Sequence, residues 1–311
     1  MPPIPSIVAR VTQASPLKQQ SPTPCMNPLV NRFGRWSIES LPLDGGRICY
    51  LAYDDLVLLT TAPTEFHSPI KDYGKYETRP VFGYDDCWPS VSSCKFPGSS
   101  WLIPDHGELC WLPWEVSQRP TGVLFRVESM RLPATFEREL EFCGNSLTWH
   151  FRITNSGPLP LPCQHVMHPL LPLRSISSMV LPNFESVSNA TKARELIFCK
   201  PAEVADFLIS QRPGTAIMLY LHNIREGRLV LGLTGGTDLT ISFPVSTFRS
   251  LGIWWNNLGY PDEHGCHRSE CAFEPIPGST SHLDCEYKER SCLFIQPETT
   301  YSWDCQWQIA I

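Results

Sequence analysis

The sequence predicts an all-β protein, a sandwich or barrel of many short strands. Three observations predict it. Apolar and polar residues alternate with period two in segments such as FERELEFCG (136–144) and LTWHFRITN (147–155), the pattern of a half-buried strand. Turn residues recur at intervals of roughly 8–12 residues. The 30 prolines among 311 residues disfavour long helices, because proline removes a ladder hydrogen bond and clashes with the preceding turn.

In chain order, residues 1–35 read as a flexible arm: no Asp or Glu occurs before Glu39, and Pro, Ser and Gln are frequent. An acid-poor stretch with Arg10 and Lys18 also fits an organellar transit segment, though its prolines suit one poorly. From residue 36, RWSIESLPL, RICYLAY and LVLLTTA read as strands. Residues 64–115 form a polar and aromatic loop region dense in Pro, Gly, Asp and Trp. Strands resume at GVLFRVESMRL, and GNS (144–146) makes a hairpin of the two alternating segments. TAIMLYLHNIREGRLVLGLTGGTDLTISFPV (215–245) gives three more, split at REG and GGTD, and SLGIWWNN and YSWDCQWQIAI complete the set. No helical stripe exceeds about two turns. With no internal repeat or linker, residues 36–311 form one domain.

Composition narrows the function. A net charge of −6 argues against nucleic acid, which requires a basic stripe, and no polybasic patch suits an anionic membrane. No run approaches the ~20 apolar residues of a transmembrane helix. The 13 cysteines are odd in number and irregularly spaced. With no apolar leader before them they read as reduced thiols, and the expected location is cytoplasmic. No phosphate loop, dinucleotide fingerprint or nucleophile elbow occurs, so no cofactor is expected. His264, Cys266, His267 and Cys271 lie close together but match no paired zinc spacing, and no metal is expected.

Polar residues concentrate in four segments: FGYDDCWPS (82–90), PDHGELCWLPW (104–114), QHVMHPLL (164–171) and GIWWNNLGYPDEHGCHRSECAFEPIPG (252–278). Each has a plain structural reading. Asp85 and Asp86 fit a turn, His168 a satisfied core histidine, and Glu274 a partner for an arginine. Trp254 and Trp255 point to opposite faces of a strand, so at most one lines a given pocket. Yet Glu274 stands between Phe273 and Pro275, where desolvation disfavours its charged form and makes it a stronger base.

Taken together and in this order, the four segments resemble the galactose mutarotase-like, or aldose 1-epimerase, superfamily. The resemblance covers about residues 36–311. It implies a large twisted antiparallel β-sandwich with a sugar cleft, and a small-molecule sugar as partner. It implies that His168, before Pro169, protonates the pyranose ring oxygen while Glu274 takes the proton of the C1 hydroxyl; His165 is the near neighbour of His168. His106, before Gly107, would bind sugar hydroxyls, and Asp85, Asp86, Trp255 and Asn256 are further candidates for substrate binding. The sequence departs from the family in two places. FGYDDCWPS holds no arginine, Arg79 lying outside it, and Glu108 replaces a glycine after His106-Gly107. The alternatives are a sugar-binding protein without turnover and a hexose-6-phosphate epimerase, for which Arg174, Arg249 and Arg268 are the available cations. A structural protein with no sugar ligand is a further one.

Overall fold

The structure is a computed structural model and describes residues 27–62, 76, 79–190, 194–261 and 267–310. It is built of antiparallel sheets. The largest has eight strands, in the order Ile176–Val180, Arg228–Leu233, Thr237–Ser242, Thr299–Ala310, Ser146–Asn155, Ala134–Cys143, Gly122–Glu128 and Glu115–Arg119. Its central hairpin is the one the alternating segments predict. Cys143 pairs with Ser146 across Gly144 and Asn145, and Gly144 has φ +56°, a left-handed conformation that glycine adopts without penalty.

The alternation also selects the core. Phe136, Leu140, Trp149, Phe151, Ile153, Trp303, Cys305 and Trp307 are buried on one face of this sheet. Trp149 lies 5.3 Å from Trp307, and Phe151 stacks on Trp303 at 5.5 Å. Seven of the ten tryptophans (Trp36, Trp88, Trp114, Trp149, Trp255, Trp303 and Trp307) are buried, so most of the tryptophan that could have served a sugar platform is spent in the core.

Two six-stranded sheets carry the site. One runs Leu29–Phe33, Trp36–Leu41, Arg47–Tyr53, Tyr84–Cys87 and Val166–Pro169, with Leu56–Val57 on the side. The other runs Leu171–Pro172, His267–Ile276, Ser250–Pro261, Thr215–His222, Ser186–Asn189 and Arg194–Leu196. A two-stranded ladder joins Leu161–Cys163 to Leu293–Ile295.

The expected arm is shorter than residues 1–35. Leu29–Phe33 pairs in register with Trp36–Leu41 across a turn at Gly34 with φ +60°; its apolar residues Leu29, Val30 and Phe33 do not alternate with polar ones, so no period-two signal marked it. The arm's residues 1–26 lie outside the described residues. Two α-helices occur among the described residues. Pro201–Ile209 has proline in its first turn, and Glu203 Oε2 accepts the Lys200 and Cys199 N–H groups; Leu283–Glu289 is shorter. No helix among them is long and apolar enough to cross a membrane. Every described cysteine is a free thiol.

Candidate functional site

Strand register gathers the site. His168 pairs with Asp85 and Val166 with Cys87; because side chains alternate, Asp85, Cys87 and His168 share one face, and Tyr84 and Asp86 take the other. In the neighbouring sheet Glu274 pairs with Gly252, and Ala272 with Trp254. Gly252 leaves room for the carboxylate: a Cβ there would lie 3.3 Å from Glu274 Oε2. His106 arrives on a loop. Its N–H donates to the Val91 carbonyl at 2.6 Å, and it holds φ +61°. The next residue must be glycine, since a Cβ on Gly107 would meet the Trp88 carbonyl oxygen at 2.0 Å.

These elements enclose a cavity of about 340 Å³ lined by Tyr76, His106, His168, Trp254, Tyr260, Arg268 and Glu274, with apolar Val81, Val91, Leu170 and Met218 between them. His168 Nε2 lies 3.7 Å from Glu274 Oε1. On its other edge, His168 Nδ1 is 3.4 Å from the Tyr76 hydroxyl, which donates to Asp85 at 2.7 Å. The His106 ring stacks on Tyr76 at 3.7 Å and meets His168 edge-on at 5.0 Å.

Burial governs the protonation of the pair. Desolvation pushes Glu274 up to about 7, against a smaller pull from His106. Desolvation, aided by His106, pushes His168 down to about 3, despite the opposing field of Asp85. Near neutral pH the uncharged imidazole therefore faces a carboxyl that exchanges its proton readily.

Of the residues expected to bind substrate, His106 lines the cavity with His168 and Glu274, and four do not. Asp85 lies beneath the Tyr76 hydroxyl, with Arg47 at 3.4 Å and Arg79 at 3.6 Å. Asp86 points to the core, where it pairs with Arg138 and accepts from the Tyr84 hydroxyl at 2.6 Å. His165, also in the core, lies 2.9 Å from Asp86. Trp255 turns into the core, and Trp254, on the opposite face, lines the cavity instead. Asn256 is fully buried. Its Nδ2 donates to Glu270 at 3.0 Å and to the Tyr260 carbonyl at 2.9 Å, and its Oδ1 accepts from Gly259 and Tyr260, so it pins the bend that carries Tyr260. Glu108 accepts from the Ser129 hydroxyl and does not line the cavity.

Sequence reasoning missed Tyr76, Trp254 and Tyr260 as lining residues. Trp254 was legible as one of two faces; Tyr76 had no local signal. Arg268 was noted only as a cation. It lies 3.3 Å from Glu270, and Arg174 and Arg249 are exposed outside the cavity. For metals, His264 and Cys266 lie outside the described residues, as does the side chain of His267, and Cys271 is in the core. A different group, Cys87, His106 and His168, brings three donor atoms within 4.8 Å of one another.

No family pattern and no curated protein sequence matches the chain. Solved structures do. A protein of Synechocystis sp. PCC 6803 superposes with a TM-score of 0.72 at 16% identity, covering 94% of this chain and 99% of its own. A protein of Escherichia coli K12 described as a candidate aldose 1-epimerase gives 0.68 at 13%, covering 91% and 99%. The chain has the galactose mutarotase-like fold. A galactose mutarotase-like protein of Clostridium acetobutylicum aligns with a TM-score of 0.66 at 14% identity over 90% and 94% of the two chains. The galactose mutarotase-like fold spans nearly the whole chain, as the order of the four segments implies.

Proposed function

We propose that this protein binds a free aldose in the cavity and interconverts its α and β anomers, with His168 and Glu274 as the acid–base pair. The observation that carries this reading is the approach of His168 Nε2 to Glu274 Oε1 at 3.7 Å, from two different sheets, at the wall of a cavity large enough for a small ligand. Candidate aldose 1-epimerases and mutarotase-like proteins of the same fold support it.

The chemistry needs one proton given and one taken. One group protonates the ring oxygen as the other removes the C1 hydroxyl proton; the C1–O bond breaks and an aldehyde forms. Rotation about C1–C2 and closure on the other face return both protons. Closure reverses the roles of acid and base, so one shared proton serves both halves. Glu274, held near 7, is matched to exchanging it at neutral pH. Trp254 and Tyr260 offer apolar ring surface to a sugar face, and the His106 imidazole can bond to a hydroxyl. A phosphorylated sugar fits less well, because Arg268 is the one arginine among the described lining residues and Glu270 lies against it.

The test is anomer exchange by NMR with a panel of free and phosphorylated sugars, with binding measured separately. Exchange above the spontaneous rate that is lost in Glu274→Gln supports the reading. Sugar binding with no rate enhancement would leave a carbohydrate-binding protein on the same scaffold.

A further inference from the structure

We propose that Cys87, His106 and His168 form a binding site for a thiophilic divalent cation, zinc above all, beside the cavity. The inference concerns metal chemistry that the anomerase reading does not use, and it does not rest on that reading. One sulfur and two imidazole nitrogens lie within 4.8 Å of one another. A tetrahedral zinc, with bonds of about 2.3 Å to sulfur and 2.0–2.1 Å to nitrogen, needs donors about 3.3–3.6 Å apart, so closure requires about 1 Å of side-chain rotation. Three protein donors with the fourth position open is the ligand count of an accessible zinc site rather than a closed structural one.

The fold gathers these donors for reasons the sequence did not show. Cys87 and His168 project from the same face of adjacent strands, in diagonal positions. The loop tied at Val91 and Trp88 lowers His106 onto them. The donor set is soft to borderline, which selects zinc over magnesium or calcium. His106 also has the outer partner that metal-binding histidines require. Its Nδ1 is buried without a hydrogen bond, and Asp105 Oδ2 lies 3.3 Å away, so a small rotation completes a carboxylate–histidine pair.

Binding exchanges the thiol proton for the metal: the S–H proton leaves to solvent, a zinc–sulfur bond forms, and no atom changes oxidation state. Because His106 and His168 also line the cavity, a bound ion would withdraw both imidazoles from any other ligand there.

The experiment uses the full chain, stripped with chelator and titrated with Co²⁺ and then Zn²⁺ in the absence of sugar. Expected are one equivalent of cobalt, a near-ultraviolet thiolate-to-cobalt charge-transfer band, and its displacement by zinc. Cys87→Ser should remove the band, and His106→Asn should weaken cobalt binding by about tenfold or more. Either variant decides alone if the other does not fold. No band in the wild type overturns the proposal. So does a band that survives Cys87→Ser, or cobalt affinity unchanged in His106→Asn; the former would place cobalt on exposed thiols such as Cys143 or Cys199. The readout involves no sugar, so a failure of the anomerase reading leaves the result interpretable.

Discussion

Asp86 and Glu274 are both buried carboxylates, and the protein treats them in opposite ways. Burial alone would raise both. Asp86 is nonetheless lowered, because Arg138 and hydrogen bonds from His165 and Tyr84 outweigh the desolvation. Glu274 is raised to about 7, because desolvation meets little opposing charge and its near neighbour is the weakly basic His168. The partner, not the depth, decides whether a buried carboxylate is a fixed anion or a proton carrier. Around Asp86 the field is closed on all sides. Arg138 also donates to the Gly46 carbonyl at 2.6 Å and lies 4.3 Å from the Phe125 ring centroid. Beside it Asp44 binds both Arg47 and Arg79, at 2.6 and 2.5 Å. Such a network holds strands together; the His168–Glu274 pair opens onto a cavity.

If that contrast is right, substitution should separate activity from stability. Glu274→Gln removes the proton carrier and keeps the shape. Anomer exchange should fall by roughly 10²–10⁴-fold, with stability unchanged or slightly raised, because a desolvated carboxyl is gone. NMR exchange and denaturant unfolding on the same samples check both halves. An unfolding midpoint that collapses in Glu274→Gln would place Glu274 with Asp86 as a structural anion. Asp86→Ala should do the reverse: leaving Arg138 buried and unpaired costs about 3–5 kcal/mol of stability, measured by the same unfolding, and a fully stable variant would break the comparison from the other side.

A smaller effect tests how finely Glu274 is held. A Cβ on Gly252 would lie 2.9 Å from Met218 Cε, 3.0 Å from Ile276 Cδ1 and 3.3 Å from Glu274 Oε2. All three are side-chain ends that can yield, so Gly252→Ala should fold at a cost of about 1 kcal/mol. It should lower the exchange rate about tenfold by displacing the carboxylate from its partner, with sugar affinity changed less. An unaltered rate would show that the position of Glu274 tolerates the shift.

The sequence made the sheets legible and the site only in part, and the same rule accounts for both. Alternation over 136–155 is a local signal, and the hairpin formed where it pointed. Glu274 was marked by its apolar neighbours, again a local signal, whereas His168 read locally as a core histidine and was singled out only by the resemblance. What stayed hidden depends on which face of a strand meets which loop. A shift of one position separates Asp85, under the Tyr76 hydroxyl, from Asp86, in the core, and Trp254 from Trp255. Nothing within a few residues of either pair records the choice, because it is set by register with Val166–Pro169 and His267–Ile276. Cys87 joined the two histidines for the same reason. The core arginines were unreadable too: Arg47, Arg79 and Arg138 are fully buried, and only the assembled sheets bring their aspartates to them.

The weakest charges extend the comparison to the solvent face of the largest sheet. His150 projects from Ser146–Asn155 with Asp304 at 2.8 Å and Glu141 at 3.2 Å. Partial burial lowers its pKa, but the hydrogen bonds with Asp304 and Glu141 outweigh this and raise it above the usual histidine value. A raised pKa in the folded state means that the imidazolium binds its proton more tightly there than in the unfolded chain. The stabilisation is complete below about pH 6.5, the unfolded value, and disappears as pH climbs through the higher folded value. All three groups touch water, so solvent screening keeps the contribution small, under about 0.5 kcal/mol. His150→Gln should therefore lower stability slightly at pH 5.5 and not at pH 9, as read from urea midpoints at the two pH values. The difference should shrink further in high salt. A deficit of equal size at both pH values would mean that packing, not charge, holds His150 in place. A deficit approaching that of Asp86→Ala would mean that water screens this face far less than its exposure implies.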